Sequence, residues 1–342
     1  MLPQKELQEI RTLLQSAQSP VFFFDDDCDG LCSFLLLQKY CGKGDGVPIK
    51  NAPEFTQVYL SKIQELQPDL VVILDKPIVD QVFLDQVHVP VLWMDHHPPV
   101  ARKKVHYFNP RLHGTGEGYS TTRMAYEVTN QNLWIATVGS VADWTIPPFL
   151  KEFDQLYPGI VSTSVTDPGD LLFKHKIGEL VKLMYFTLKG TTSEVRKDIK
   201  LLLTITNPLE LLEGTTDAGK LCQEHTKKNF KEYEVILNKA KAAADPEDPV
   251  LVFLYPSTKN SYTGMIANEL VYLYPKKVII VGREKSGDVR MSLRSPRYVL
   301  PPILEKALVG LHGYGGGHDH ACGASVPKDD FERFLTQLRE QL

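Results

Sequence analysis

Three short apolar stretches of the chain end in the same way. Val21-Phe22-Phe23-Phe24 runs into Asp25, Leu70-Val71-Val72-Ile73-Leu74 into Asp75, and Val91-Leu92-Trp93-Met94 into Asp95. None of them alternates with polar residues, so both faces of each are expected to be covered, as in the parallel sheet of an α/β protein. Ser33 to Tyr40 and Ile78 to Val87 carry helical patterns and predict helices between these strands. In such sheets ligands bind beyond the carboxyl ends of the strands, which would bring three aspartates to one edge. Residues 133 to 142 predict another helix, with Ile135, Val138 and Ala142 on one face and Asp143 at its end, ahead of Pro147-Pro148. From 170 to 245 the chain reads as further helices, broken at Asn207-Pro208, and Leu180, Leu183, Met184 and Leu188 form a stripe expected in the core.

Composition narrows this picture only slightly. A chain of 342 residues with 43% apolar and 23% charged residues has the balance of a soluble globular protein large enough for two domains. No long apolar run predicts a membrane span, and the charged start MLPQKELQEIRTLLQ does not resemble a signal peptide. Cys28, Cys32, Cys41, Cys222 and Cys322 are odd in number and lack zinc-like spacing, which together predict a reducing, cytoplasmic setting. The net charge of -4 argues against a generally basic nucleic-acid binder but leaves room for local patches.

The chemistry is concentrated at the strand ends. FFFDDDCDG (22 to 30) places Asp25, Asp26, Asp27 and Asp29 within five positions, and WMDHHPP adds Asp95, His96 and His97. Oxygen and imidazole donors without thiolate suit manganese and magnesium ahead of zinc. Asp25, Asp27, Asp29, Asp75 and Asp143 bring five carboxylates, which two cations about 3.5–4 Å apart would neutralise, and such a pair suits phosphoester hydrolysis. Cations rather than basic side chains are thus the expected answer to the charge of the first cluster.

These residues resemble a known family. Asp25-x-Asp27-x-Asp29-Gly30, Asp75 after an apolar strand, Asp95-His96-His97, and Asp143 after Gly-Ser-Val-Ala look like the four motifs of the DHH phosphoesterases. SYTGMIANEL (261 to 270), VRMSLRS (289 to 295) and GYGGGHDHACGAS (313 to 325) look like the DHHA1 domain that accompanies them in RecJ-type and nanoRNase-type members. The resemblance implies a DHH catalytic domain over 1–155, a helical connector over 156–245 and a smaller α/β DHHA1 domain over 246–342, with the active site in the cleft between domains. It assigns Asp27 to one metal, Asp29 to the other and Asp75 to both, with His96 and Asp143 completing the ligands of the second metal. Asp25 stands at the family's variable first position. Asp75, Asp95, His96 and His97 are the expected catalytic group, with His97 on substrate phosphate and Asp95 orienting a histidine ring. Asp26 has no family role and is expected to be solvated or to stand behind the ligands. Lys76, where the family often has a glycine nearby, lies either beside the metals or in solvent.

Toward the C-terminus, Lys276, Lys277, Arg283, Lys285, Arg290, Arg294 and Arg297 face only Glu284 and Asp288 in the sequence. The resemblance assigns Arg294 to the substrate, since a guanidinium takes phosphate bidentately, with Ser295 beside it and Arg290 as a further candidate. Gly315, Gly316 and Gly317 either bring backbone N–H groups close to a phosphate or make a tight turn, with His318 as a substrate contact. The implied activity is a manganese-dependent, two-metal exonuclease or oligonucleotidase that releases mononucleotides from single-stranded RNA or DNA or from short oligonucleotides; magnesium is the second choice of cofactor. Alternatives are a phosphodiesterase for cyclic or linear dinucleotides, an adenosine bisphosphate phosphatase, and a non-catalytic replication scaffold. A homodimer and replication or repair proteins are candidate partners, and no membrane is.

Overall fold

The computed structural model describes residues 1–50, 54–114, 119–257 and 260–342, which fall into two compact units, Met1–Lys227 and Lys228–Leu342. In the first unit, β1 (Pro20–Asp25), β2 (Asp45–Ile49), β4 (Leu70–Leu74), β6 (Val91–Met94) and β7 (His106–Phe108) form one sheet in the order β2-β1-β4-β6-β7, while β3 (Glu54–Phe55) pairs with β5 (Ile78–Val79) apart from it. All four pairings in the large sheet are parallel. Phe24 lies beside Leu74 and Leu74 beside Met94, so the three apolar runs finish level with one another. Asp25, Asp75 and Asp95 therefore emerge in a row at the carboxyl edge.

The unbroken apolar runs reflect cover on both faces. Val21, Phe23, Val71, Ile73, Val91 and Trp93 point into one cluster with Phe55 and Phe83. The alternate residues face the other side, where Phe24 stacks on Phe34 of the helix Cys28–Cys41 at 4.9 Å between ring centroids. The predicted helix over Ile78 to Val87 is shorter than its pattern suggested. Ile78 and Val79 are drawn into β5, and Asp80 caps a helix of only Gln81–Gln86 through its bond from the Val82 amide. The helices expected after residue 170 are present as Ile177–Thr187, Thr192–Thr204, Pro208–Glu213 and Asp217–Ala242, and Leu180, Leu183, Met184 and Leu188 are buried.

The second unit has its own sheet of β8 (Val250–Tyr255), β9 (Val278–Lys285), β10 (Asp288–Arg294), β11 (Tyr314–His318) and β12 (Ala321–Pro327), in the order β11-β12-β10-β9-β8. Only β8 and β9 run parallel; the other pairings are antiparallel. Val289, Met291, Leu293, Cys322, Ala324 and Val326 turn to a core shared with Phe331, Phe334 and Leu338. Gly315-Gly316-Gly317 is neither a loop nor a turn. It forms the middle of edge strand β11, where a strand without side chains can lie close to β12. No described helix is long and apolar enough to cross a membrane.

Candidate metal centre

The first cluster is shaped by the turn from β1 into the helix Cys28–Cys41. Asp27 caps that helix by accepting from the Gly30 amide at 2.9 Å. Gly30 is required there, because a Cβ would lie 2.6 Å from the Asp25 carbonyl oxygen. Asp29, one residue into the helix, sends both carboxylate oxygens to a different element. Its Oδ2 accepts from the Thr121 amide at 2.9 Å and its Oδ1 from the Thr122 amide at 2.8 Å, at the N-terminus of the helix Thr121–Thr129. The positive end of that helix thus holds a carboxylate in place and leaves further lone pairs for a cation.

Asp75 lies at the centre of the site. It is 2% exposed and has a φ of 58°, a left-handed conformation that aspartate tolerates better than most residues. Thr121 Oγ1 donates to its Oδ1 at 3.1 Å, and His96 Nε2 lies 3.4 Å from the same oxygen. On the other ring nitrogen of His96, Asp143 Oδ2 stands 3.7 Å away. Asp143 terminates the helix Leu133–Ala142, and Trp144 follows it at φ 56°. Close approach again explains a motif glycine: a Cβ on Gly139 would meet Thr122 Oγ1 at 2.3 Å and Cys32 Cβ at 2.6 Å.

His97 is held differently. Its Nδ1 lies 2.7 Å from Asp95 Oδ1, and its backbone N–H donates to Asp95 Oδ2 at 3.1 Å. Asp95 is fully buried, and Asn109 Nδ2 donates to Asp95 Oδ2, to the His97 carbonyl and to the Tyr107 hydroxyl. The histidine that Asp95 orients is therefore His97, whose Nε2 is presented away from the carboxylate.

Two basic side chains enter this acidic cluster, contrary to the expectation that cations alone answer its charge. Lys76 is buried, and its Nζ donates to Asp25 Oδ1 at 2.8 Å. Trp93 Nε1 donates to the Lys76 carbonyl at 2.9 Å and helps fix that turn. Asp26 is not a solvated bystander, since Lys189 Nζ reaches its Oδ2 at 3.0 Å while lying 4.1 Å above the Tyr185 ring. Thr121, Thr122, Asn109 and Lys189 escaped the sequence reading because their roles depend on contacts between distant elements. The only local hint was the run Ser120-Thr121-Thr122, which reads as a helix start.

The donor set suits divalent ions. Asp25, Asp27 and Asp75 form one group of ligand atoms within 4.8 Å of one another, Asp29, His96 and Asp143 a second, and Asp75, His96 and His97 a third. Burial, followed by repulsion from Asp75, Asp25 and Asp29, pushes the Asp27 carboxyl well above the usual range. Burial, followed by repulsion from Asp75 and Asp143, does the same to Asp29. Burial also opposes charge on Asp75, yet His96, His97 and Thr121 outweigh it and hold that carboxyl at about 2. For His96, burial opposes the cation, but Asp143, Asp75 and Asp29 raise it well above its ordinary value.

These shifts give a pH signature. Asp27, Asp29 and His96 all have raised folded values, so without metal their contribution to stability is greatest at low pH and is lost as pH rises through those values. Asp75, held low, titrates outside this window. With chelator present, the melting temperature should rise as pH falls from about 8 to 5. With manganese in excess it should fall over the same range, because protons compete with the metal. Parallel thermal melts check this, and matching slopes would remove the metal assignment.

In the second unit, Arg294 Nε donates to Asn268 Oδ1 at 2.5 Å and Nη1 to the Leu293 and Cys322 carbonyls, while burial lowers the guanidinium to about 10. Arg294, Ala321 and His318 are register partners across β10, β12 and β11. The Ser295 hydroxyl accepts from the Arg297 and Tyr298 amides, both at 3.2 Å, and shapes the turn after β10.

Comparison with known proteins agrees with this architecture. The DHH family N-terminal domain matches residues 21–144 and the DHHA1 domain residues 247–342. No curated protein matches the chain by sequence. RecJ from Thermus thermophilus in complex with Mn2+ is similar in structure, with a TM-score of 0.68 and 18% identity over 99% of this chain, which spans 55% of that one. Exonuclease RecJ bound to manganese gives 0.64 and 17% identity over 98% of this chain and 94% of its own. The pGpG-specific phosphodiesterase PggH from Vibrio cholerae gives 0.52 and 16% over 95% and 98%. At these identities the likeness is one of fold. The two domain models, in this order along one chain, carry the further step: the protein belongs to the DHH family, with a DHHA1 domain following the DHH N-terminal domain.

Proposed function

We propose that the chain is an exonucleolytic phosphodiesterase that cleaves single-stranded nucleic acid or short oligonucleotides to mononucleotides by a two-metal mechanism, with manganese preferred over magnesium. The observation that carries this reading is the position of Asp75, whose carboxylate belongs to two ligand groups, one with Asp25 and Asp27 and the other with His96 and His97. Asp25, Asp27 and Asp75 would hold one ion, and Asp29, Asp75, His96 and Asp143 the other. When bound, such a pair stabilises both the attacking and the departing oxygens of an in-line displacement.

The protein's own groups do the rest. Asp95 fixes the His97 ring so that Nε2 can donate to a phosphate oxygen. Thr121 holds the Asp75 carboxylate in one orientation, and the helix that starts there fixes Asp29. Arg294 and His318 are the proposed grip on a substrate phosphate in the second unit, with the β11 backbone beside them. Imidazole and carboxylate donors together favour manganese, and RecJ bound to manganese shares the fold.

The test is hydrolysis of 5′- and 3′-labelled RNA and DNA oligonucleotides, from two to about twenty nucleotides, in manganese and in magnesium. Stepwise release of mononucleotides, faster in manganese, is the expected result. Activity confined to dinucleotides would replace this reading with the dinucleotide phosphodiesterase. No hydrolysis of any phosphodiester would leave the replication scaffold.

A further inference from the structure

The sheet of the second unit has a polar face that extends well past Arg294. Val289, Met291 and Leu293 of β10 turn into the core, so Arg290, Ser292 and Arg294 share the opposite face. Register carries that face across the neighbouring strands in three rows. The first is His318–Ala321–Arg294, the second Gly316–Gly323–Ser292, and the third Tyr314–Ser325–Arg290–Arg283.

The helix Thr263–Leu273 covers this face over β10, where Thr263 and Asn268 meet Ser292 and Arg294. Over Gly316 and Gly323 the face is open. A Cβ on Gly316 would meet nothing within 4 Å, and one on Gly323 would meet only the Met291 carbonyl oxygen at 3.8 Å. The second row is thus a bare backbone floor, bounded on each side by a row that carries charge.

The third row has the features of a binding site. Tyr314 is 69% exposed, with its ring at the sheet edge. Ser325 beside it is 4% exposed, yet among the described residues its Oγ has no hydrogen-bond partner, and neither does the buried Nε of Arg290 on its other side. Two donors next to each other without an acceptor call for an acceptor-rich ligand. Arg290 also sits directly opposite Arg283, whose Nη1 donates to the Asn260 carbonyl at 3.2 Å. Asp288, the next acid on this face of β10, is paired across the strands with Lys285.

We propose that Arg290, Ser325 and Tyr314 form a second nucleotide subsite, with phosphate on Arg290 and Ser325 and a base stacked on Tyr314. The proposal rests on the reading that Arg294 and His318 anchor a substrate phosphate, and it makes that substrate an oligonucleotide. Arg290 and Arg294 are four residues apart on one strand, about 14 Å at about 3.4 Å per residue. A stacked strand advances about 3.4 Å per nucleotide and an unstacked one further, so the span is about four nucleotide steps at most and a dinucleotide falls short of it.

The experiment measures affinity against length for the full chain in EDTA. Unlabelled oligothymidylates and oligouridylates of two to eight nucleotides compete with a fluorescein-labelled octamer, read by anisotropy. Wild type should gain about tenfold in affinity between the dimer and the pentamer, the size expected of one stacked base and one phosphate contact. Tyr314→Ala combined with Arg290→Gln should lose that gain, and Ser325→Ala, the conservative single change, should lose part of it. A gain that survives in the double variant, or its absence from wild type, overturns the subsite. Hydrolysis by wild type in manganese is followed in parallel. Cleavage without a length-dependent gain refutes only the subsite, whereas a gain without cleavage refutes only the phosphodiesterase reading.

Discussion

Asp75→Asn should reduce oligonucleotide hydrolysis by at least about 10³-fold while leaving the fold intact. Asparagine is the informative replacement because it accepts the left-handed backbone at this position and keeps an oxygen for the Thr121 hydroxyl. It removes only the charge that the two ligand groups share. Loss of one electrostatic partner of a developing transition-state charge costs about 3–4 kcal/mol, and here the loss falls on both metals. In chelator the same variant should melt near wild type, because relief of Asp27 and Asp29 from the charge of Asp75 is offset by the lost attraction of His96 and His97 for that charge. Steady-state rates and melts on one preparation separate the outcomes. Turnover within tenfold of wild type would refute the shared-ligand assignment, and a collapse of the melt would mean that Asp75 is needed for folding.

The sheet and its acidic edge were legible because they rest on local pattern. Unbroken runs such as Leu70 to Leu74 announce a strand covered on both faces, and the residue after each run must emerge at the carboxyl edge. Asp143 was legible for the same reason, as the end of an apolar helix. What a sequence does not show is where long side chains finish. Lys76 follows Asp75 directly, yet nothing local says that its four-carbon stem turns inward to Asp25 rather than outward to water. Lys189 reaches Asp26 from the turn after the helix Ile177–Thr187, more than 160 positions away. The glycine run illustrates a different gap. Three glycines resemble a loop because they lack side chains, and only their pairing with Cys322 to Ala324 makes them a strand. Register, a property of two segments together, also created the row from Tyr314 to Arg283.

Replacement of Lys76 by methionine should destabilise the chelated protein and leave the manganese-loaded protein nearly unchanged. Lys76 is 1% exposed, and its ammonium is the cation seen against Asp25, in a pocket that also holds Asp27 and Asp75. Methionine fills a similar volume, so the change removes charge more than packing. Breaking a buried ion pair costs about 3–5 kcal/mol when the remaining charge stays buried. The Asp25 side chain is 33% exposed, so solvent relieves part of that penalty and about 2 kcal/mol is the expected loss. Asp25→Asn in the same chain should return most of it, because the carboxylate that the ammonium pairs with is then neutral. Manganese should return it as well, and more strongly in the single variant than in wild type, because the ammonium and a cation at Asp25, Asp27 and Asp75 compete for the same carboxylates. Denaturant titrations of the four combinations, with and without metal, test both claims as a double-mutant cycle. If Asp25→Asn does not rescue Lys76→Met, the lysine acts through packing alone; if metal affinity is unaffected by Lys76→Met, the ammonium does not share the metal's carboxylates.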